Sequence, residues 1–311
     1  METRNLGNSS LRVSLVGLGC NNFGGRTDLE GSRKVVHKAL DLGITLFDTA
    51  DIYGGYGGSE NCLGQILGDR RKDIVLATKF GMAMNAEGTL KGGSRTYVMA
   101  AAEASLKRLK TDWIDLYQIH TPDAQTPIEE TLRALDDLVR QGKVRHIGCS
   151  NFAAWQAVDA QWTARHLGLT PFMSCQDEYS LLARQVEAQS IPAMRAHGMG
   201  LLPFFPLANG LLTGKYRRDA LPEGSRLSVA KALADRTLTP QNWDRTEKLQ
   251  AFCTAQGRTL LELAFSWLAM QPAVASVIAG ASKPEQVEMN VRSVGWKLSQ
   301  EQLAQVDAIT R

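Results

Sequence analysis

No apolar run in this 311-residue chain approaches the roughly 20 residues that span a bilayer. The longest, "LLPFFPLA" at 201–208, is short and broken by prolines. The opening "METRNLGNSS" is polar and has no apolar core of the kind that directs export, so a cytoplasmic protein is expected. Excess charge is missing too: 35 basic against 32 acidic side chains leave a net +3. No basic cluster or aromatic–basic stripe marks a nucleic-acid surface. Cysteines are few: five, at 20, 62, 149, 175 and 253, odd in number and without a C-x-x-C pair. Neither a disulfide framework nor a zinc site is expected, and Cys149 and Cys175, set in apolar runs, read as small core residues. What remains is ordinary, 44% apolar and 22% charged, in a chain long enough to bury a large core.

Apolar runs of strand length alternate with amphipathic segments from end to end. The runs are "VSLVGLG" (13–19), "ITLFDTA" (44–50), "IVLATKF" (74–80), "WIDLYQIH" (113–120), "RHIGCS" (145–150), "FMSCQ" (172–176), "GLLPFF" (200–205) and "ASVIAG" (275–280). They are mostly continuous rather than alternating, as strands buried on both faces are. Between them lie helical patterns. One places Ile128, Leu132, Leu135, Leu138 and Val139 on a single face, with "TPIE" (126–129) predicting a Thr126 cap and Gly142 a stop. Eight strand–helix units over this length predict one closed (β/α)8 barrel, a TIM barrel, across residues 1–311. A doubly wound sheet would need a dinucleotide fingerprint. "GLGCNNFG" puts Asn22 where the third glycine belongs, and "GGYGGSE" puts Glu60 there. Residues 1–12 predict a hairpin turning at "GNSS", and 208–240, after the seventh run, a long functional loop.

In a parallel barrel the active site lies at the C-terminal ends of the strands. Polar residues punctuate those ends here: Asp48, Lys79, His120, Ser150 with Asn151, and Gln176. Singly, each reads equally well as a solvated loop residue; their coincidence on one rim points to a site.

Six stretches, "FDTADIYG" (47–54), "ATKFG" (77–81), "DLYQIHTPD" (115–123), "GKVRHIGCSNF" (142–152), "PLANGLLTGKY" (206–216) and "GASKPEQVEMN" (280–290), together resemble the aldo-keto reductase family. The likeness runs in order over nearly the whole chain. It implies the same barrel and a catalytic tetrad of Asp48, Tyr53, Lys79 and His120. Reducing a carbonyl by hydride transfer leaves an alkoxide that needs a proton donor. Tyr53 is that donor by resemblance, and Lys79 is expected to lower its pKa, with Asp48 holding Lys79 in place. His120 is expected to meet the carbonyl oxygen. The glycines of "YGGYGG" are read as hinges that bring Tyr53 over the barrel mouth.

The resemblance also implies NADPH, with NADH accepted in its place. Ser150, Asn151 and Gln176 would bind the carboxamide, and Phe204 would stack on the ring where the family usually has tyrosine. Phe205 stands where serine is common. Leu207, Gly210, Leu211 and Lys215 belong to the segment expected over the pyrophosphate. Gly280, Ser282, Lys283, Gln286 and Asn290 would take the adenosine end. Ser282 and Glu285 read as a capping box that puts Lys283 in a first helical turn, either as a solvated cation or beside a phosphate. Gln286 and Met289 depart from the cation and glutamate common in the family. The short tail resembles the bacterial branch related to potassium-channel β subunits. It implies an open pocket for small carbonyl substrates, with Phe23, Tyr56 and Phe80 as candidate walls. An NAD(P)+-dependent sugar dehydrogenase, a nucleotide-sensing regulatory subunit, and an aldolase with Lys79 as Schiff base are the competing readings. The last leaves Asp48 and Tyr53 without a role.

Overall fold

The computed structural model describes residues 1–311. Strands β1 (Thr3–Asn5) and β2 (Arg12–Ser14) form an antiparallel hairpin. Eight parallel strands follow: β3 (Val16–Gly19), β4 (Leu46–Asp48), β5 (Val75–Phe80), β6 (Ile114–Ile119), β7 (Val144–Ser150), β8 (Ser174–Glu178), β9 (Gly200–Phe204) and β10 (Val277–Gly280). Their order is β10-β3-β4-β5-β6-β7-β8-β9. Leu201 of β9 closes the ring against the approach to β10, accepting from Ala275 N at 3.0 Å and donating to Ala273 O at 2.8 Å. Helices lie between the strands, making a (β/α)8 barrel. Every residue of β5 and β6 is buried, which is why those runs show no polar–apolar alternation. No helix is long and apolar enough to cross a membrane.

The hairpin plugs the end of the barrel opposite the strand C-termini. Its Leu6 and Val13 pack with Leu46, Val75, Leu116 and Leu202. Gly7, at φ +58°, lies so close that a β-carbon would stand 2.8 Å from Gly200 N and 2.9 Å from Met173 O.

Three expectations change. Run 13–19 is two strands, broken at Leu15. The Ser14 hydroxyl donates to Val16 O (2.7 Å) and accepts from Thr45 N (2.9 Å), tying the break to the start of β4. The helix Ile128–Arg140 buries Leu132, Leu135 and Leu138 as predicted, but Pro127 occupies its cap and Thr126 does not cap it. The Thr126 hydroxyl instead donates to Asp123 Oδ2 at 2.7 Å. The stretch 208–240 is packed rather than looped. It holds a 3-10 segment (Ala208–Thr213) and helices Arg226–Val229 and Lys231–Thr237, and buries Leu212, Tyr216 and Leu227. Asn209 Nδ2 donates to Thr237 Oγ1 across it at 3.0 Å.

On the barrel's outer side, buried Asp115 pairs with Arg71 and Arg145, both at 2.8 Å, and accepts from Leu76 N at 3.0 Å. Both guanidinium groups face the Trp113 ring at 4.7 Å. Asp115→Ala would strand the buried Arg71, so a loss of about 3–5 kcal/mol is expected in urea unfolding. A loss below about 1 kcal/mol would mean that water takes the carboxylate's place.

Candidate active site

The C-terminal rim gathers the predicted polar residues. Asp48 ends β4, Lys79 is next to last in β5, His120 follows β6, Ser150 ends β7, and Gln176 lies within β8. Lys79 is fully buried, and all three of its ammonium protons are engaged. They go to Asp48 Oδ1 (2.8 Å), Asp48 Oδ2 (2.7 Å) and Thr49 O (2.9 Å). Gln176 Nε2 also donates to Asp48 Oδ1, at 2.9 Å, so the carboxylate is held from two sides. Burial works to remove the Lys79 proton, but the Asp48 carboxylate holds the pKa above the usual lysine value.

Tyr53 is brought over the rim by a turn in which Gly54, Gly55, Tyr56 and Gly57 all have positive φ. Gly54 is needed there: a β-carbon would collide with the Phe23 carbonyl and stand 2.8 Å from Ser59 N. The ring lies 5.2 Å from Lys79 Nζ and meets the His120 imidazole edge-on at 5.7 Å. One expectation is reversed. Burial pushes the Tyr53 phenol above the ordinary tyrosine value; Lys79 pulls it down and Asp48 adds to the rise. Desolvation wins, so the phenol stays protonated at neutral pH. That suits a proton donor.

The His120 imidazole is pushed down to about 3, first by burial and then by Lys79. It is therefore neutral at physiological pH. Its Nδ1 is buried without a partner, and the residue lines the cleft. Unfolded, this histidine takes its proton near pH 6.5. Between about 6.5 and 3 the unfolded chain binds more protons at this position, so stability falls as pH falls through that window. Asp51, buried and raised to about 7 by desolvation and then Glu60, has the opposite sign: its contribution is lost as pH rises from 3.8 through 7. The two slopes oppose each other, so a variant must separate them. His120→Gln is expected to lose roughly 2 kcal/mol less than the parent between pH 6.5 and 4.5 in urea unfolding. Equal losses would contradict the buried neutral imidazole.

Beside the tetrad, Ser150 Oγ donates to Gln176 O (2.8 Å), while Asn151 Nδ2 donates to His120 O (2.9 Å) and Ser150 Oγ (3.0 Å). These bonds leave Asn151 Oδ1 and Gln176 Oε1 as acceptors for an amide N–H pair. From here a cleft of about 780 Å³ runs across β9 to the helix Pro284–Arg292. Phe204, Leu207, Gly210 and Lys215 line its middle; Gly280, Ser282, Lys283, Gln286 and Asn290 line its far end. Two predicted residues stand apart: Lys79 lies beneath the floor, and the Leu211 side chain is core. Phe23 and Phe80 are core as well, and Tyr56 points to solvent.

The expected capping box is not formed. Pro284 sets the first helical position, so Lys283 becomes the cap residue. Gln286 Oε1, one position beyond Glu285, accepts from Ser282 N (2.8 Å) and Ser282 Oγ (3.2 Å). Sequence reasoning missed Asn22, Arg26, Glu223 and Arg226, which also line the cleft. The composition of 208–240 flagged the stretch holding the last two, but nothing in "FGGRTD" singled out Arg26.

The model of the family described as "Aldo/keto reductase family" matches residues 15–311. The chain belongs to that family. Aldo/keto reductases are oxidoreductases that generally use NAD(P)H on small-molecule carbonyl substrates. Among the relatives, a "Probable voltage-gated potassium channel subunit beta" of Arabidopsis thaliana is 38% identical over 304 residues, covering 94% of this chain and 91% of the relative. The "L-glyceraldehyde 3-phosphate reductase" of Escherichia coli (strain K12) is 35% identical, over 99% of this chain and 92% of the relative. The "Uncharacterized oxidoreductase YrpG" of Bacillus subtilis (strain 168) is 37% identical, over 99% and 96%.

Proposed function

We propose that this chain reduces aldehydes and ketones to alcohols with NADPH, Tyr53 serving as general acid. The observation that carries the reading is the buried Asp48–Lys79 pair under a protonated Tyr53, beside the neutral His120, all opening on one cleft. The residues present fit a nicotinamide dinucleotide. The Asn151 and Gln176 oxygens suit the carboxamide, the Phe204 ring lies on the same wall, and Lys215 and Lys283 are cations along the remaining length. When bound, the reduced cofactor supplies the hydride.

The chain's own groups do the rest. Neutral His120 donates its N–H to the carbonyl oxygen and orients it, without transferring a proton. Tyr53 passes its phenolic proton to the oxygen as negative charge develops there. Lys79, held charged by Asp48, stabilises the phenolate left behind. The raised phenol favours reduction over the reverse oxidation at neutral pH, because the acid is loaded and the base scarce.

NADPH over NADH rests on Lys283. It makes no ion pair with any carboxylate and stands at the start of the helix Pro284–Arg292, where an anion is favoured. Initial rates of NADPH and NADH oxidation with 4-nitrobenzaldehyde test the reading. Lys283→Ala is expected to raise KM for NADPH about tenfold while leaving KM for NADH within about twofold. Equal effects on both would remove the 2′-phosphate role. NADPH binding without turnover would favour the regulatory reading.

A further inference from the structure

Glu60, the residue that breaks the glycine fingerprint of "GGYGGSE", is fully buried, and both of its carboxylate oxygens are engaged. Oε1 accepts from the Thr78 hydroxyl at 2.6 Å and Oε2 from Arg108 Nε at 2.7 Å. Both bonds cross between elements. Glu60 stands in the first turn of the helix Gly58–Ile66, directly after the glycine turn of Tyr53. Thr78 lies in β5, one residue before Lys79, and Arg108 in the last turn of the helix Arg95–Leu109. Gly57, at φ +105°, makes room for the second bond, since a β-carbon there would collide with the Arg108 side chain.

Ser59, one residue earlier, is also fully buried. Its hydroxyl donates to Cys20 O (2.8 Å) and so accepts from the Thr49 hydroxyl (2.8 Å). Thr49 follows Asp48, and its carbonyl accepts from Lys79 Nζ at 2.9 Å. The start of one helix is thus bonded to the chain neighbours of both members of the Asp48–Lys79 pair. The turn before it supplies little hold of its own: Tyr56 points to solvent, and Gly55 has open space where a side chain would stand.

A glycine turn is free to move unless something outside it fixes it. A proton donor displaced by about 1 Å can lose on the order of a hundredfold in rate. We propose that Glu60 is a positioning residue for Tyr53: held by Thr78 and Arg108, its carboxylate fastens the turn that carries the phenol to the strand that carries Lys79. The assignment rests on the reductase reading above. It extends the machinery beyond the tetrad, because Glu60 does not line the cleft.

Glu60→Ala would leave Arg108 without its acid and unsettle the fold, so the test falls on Thr78. Thr78→Val removes the hydroxyl at nearly constant volume and leaves the Glu60–Arg108 pair intact. Stopped-flow hydride transfer from NADPH to 4-nitrobenzaldehyde is expected to slow about tenfold in this variant, with KM for NADPH within about twofold of the parent. Thr78→Ser restores the donor and should recover most of the rate. A Thr78→Val rate within about twofold of the parent would overturn the proposal. So would an equal loss in Thr78→Ser, or a rise in KM as large as the loss of rate. Should the parent chain turn over no aldehyde, the reductase reading fails by itself. Amide hydrogen exchange over residues 53–61 then decides the fastening: faster in Thr78→Val but not in Thr78→Ser supports it, unchanged in both refutes it.

Discussion

Tyr53→Phe is expected to lower kcat for NADPH-linked aldehyde reduction by about 10²–10⁴-fold, the usual worth of a positioned general acid. The phenyl ring keeps the 5.2 Å approach to Lys79 and the edge-on contact with His120, so only the hydroxyl is lost. KM for NADPH and the unfolding midpoint should therefore stay near those of the parent. Stopped-flow single turnovers would separate chemistry from product release. A variant whose hydride-transfer rate fell less than about tenfold would show that another group delivers the proton; His120, held neutral, is poorly suited to do so. The parent's rate of reduction should show no loss on the alkaline side until the pH exceeds the ordinary tyrosine value, because burial has moved the phenol upward.

The second large effect is on stability. Asp48→Ala leaves the Lys79 ammonium fully buried with Thr49 O as its one remaining acceptor. A loss of about 3–5 kcal/mol is expected, because an uncompensated charge in the interior costs far more than the net worth of the pair. Lys79→Met strands the carboxylate instead, with Gln176 Nε2 still donating to it, and should cost less than Asp48→Ala. The double variant Asp48→Leu/Lys79→Met should be more stable than either single one, since apolar residues of similar volume replace both charges. Urea unfolding of the parent, Asp48→Leu, Lys79→Met and the double variant closes the cycle. If the double variant lost the sum of the single losses, the two residues would be independent and the pairing at 2.7 Å energetically idle. Each of these variants is also expected to be inactive, so activity alone would not reveal the coupling.

Much of the fold follows from the order of residues alone. Continuous apolar runs with polar residues at their ends predict strands buried on both faces and a rim where chemistry gathers, and β5 with Lys79 and β6 with His120 follow that rule. The helix Ile128–Arg140 follows from a 3.6-residue period. Its cap does not, because Thr126 had a competing acceptor in Asp123 that local sequence cannot rank. The shift of the last cap from Glu285 to Gln286 has the same cause: Pro284 moved the helix start by one position, and two neighbouring side chains suited the role equally.

The sequence by itself determined the barrel, through the period and spacing of its apolar runs, and its family resemblance pointed to Asp48, Tyr53, Lys79 and His120 and to the glycine turn that carries Tyr53. Tertiary structure alone decided the electrostatics. Whether Tyr53 is raised or lowered depends on how desolvation compares with two opposing charges, and whether His120 is charged depends on its depth beside Lys79. It also set Arg26 and Arg226, some 200 positions apart in the chain, on the lining of one cleft. Burial and distance are properties of the folded chain, and the charges at this site answer to them.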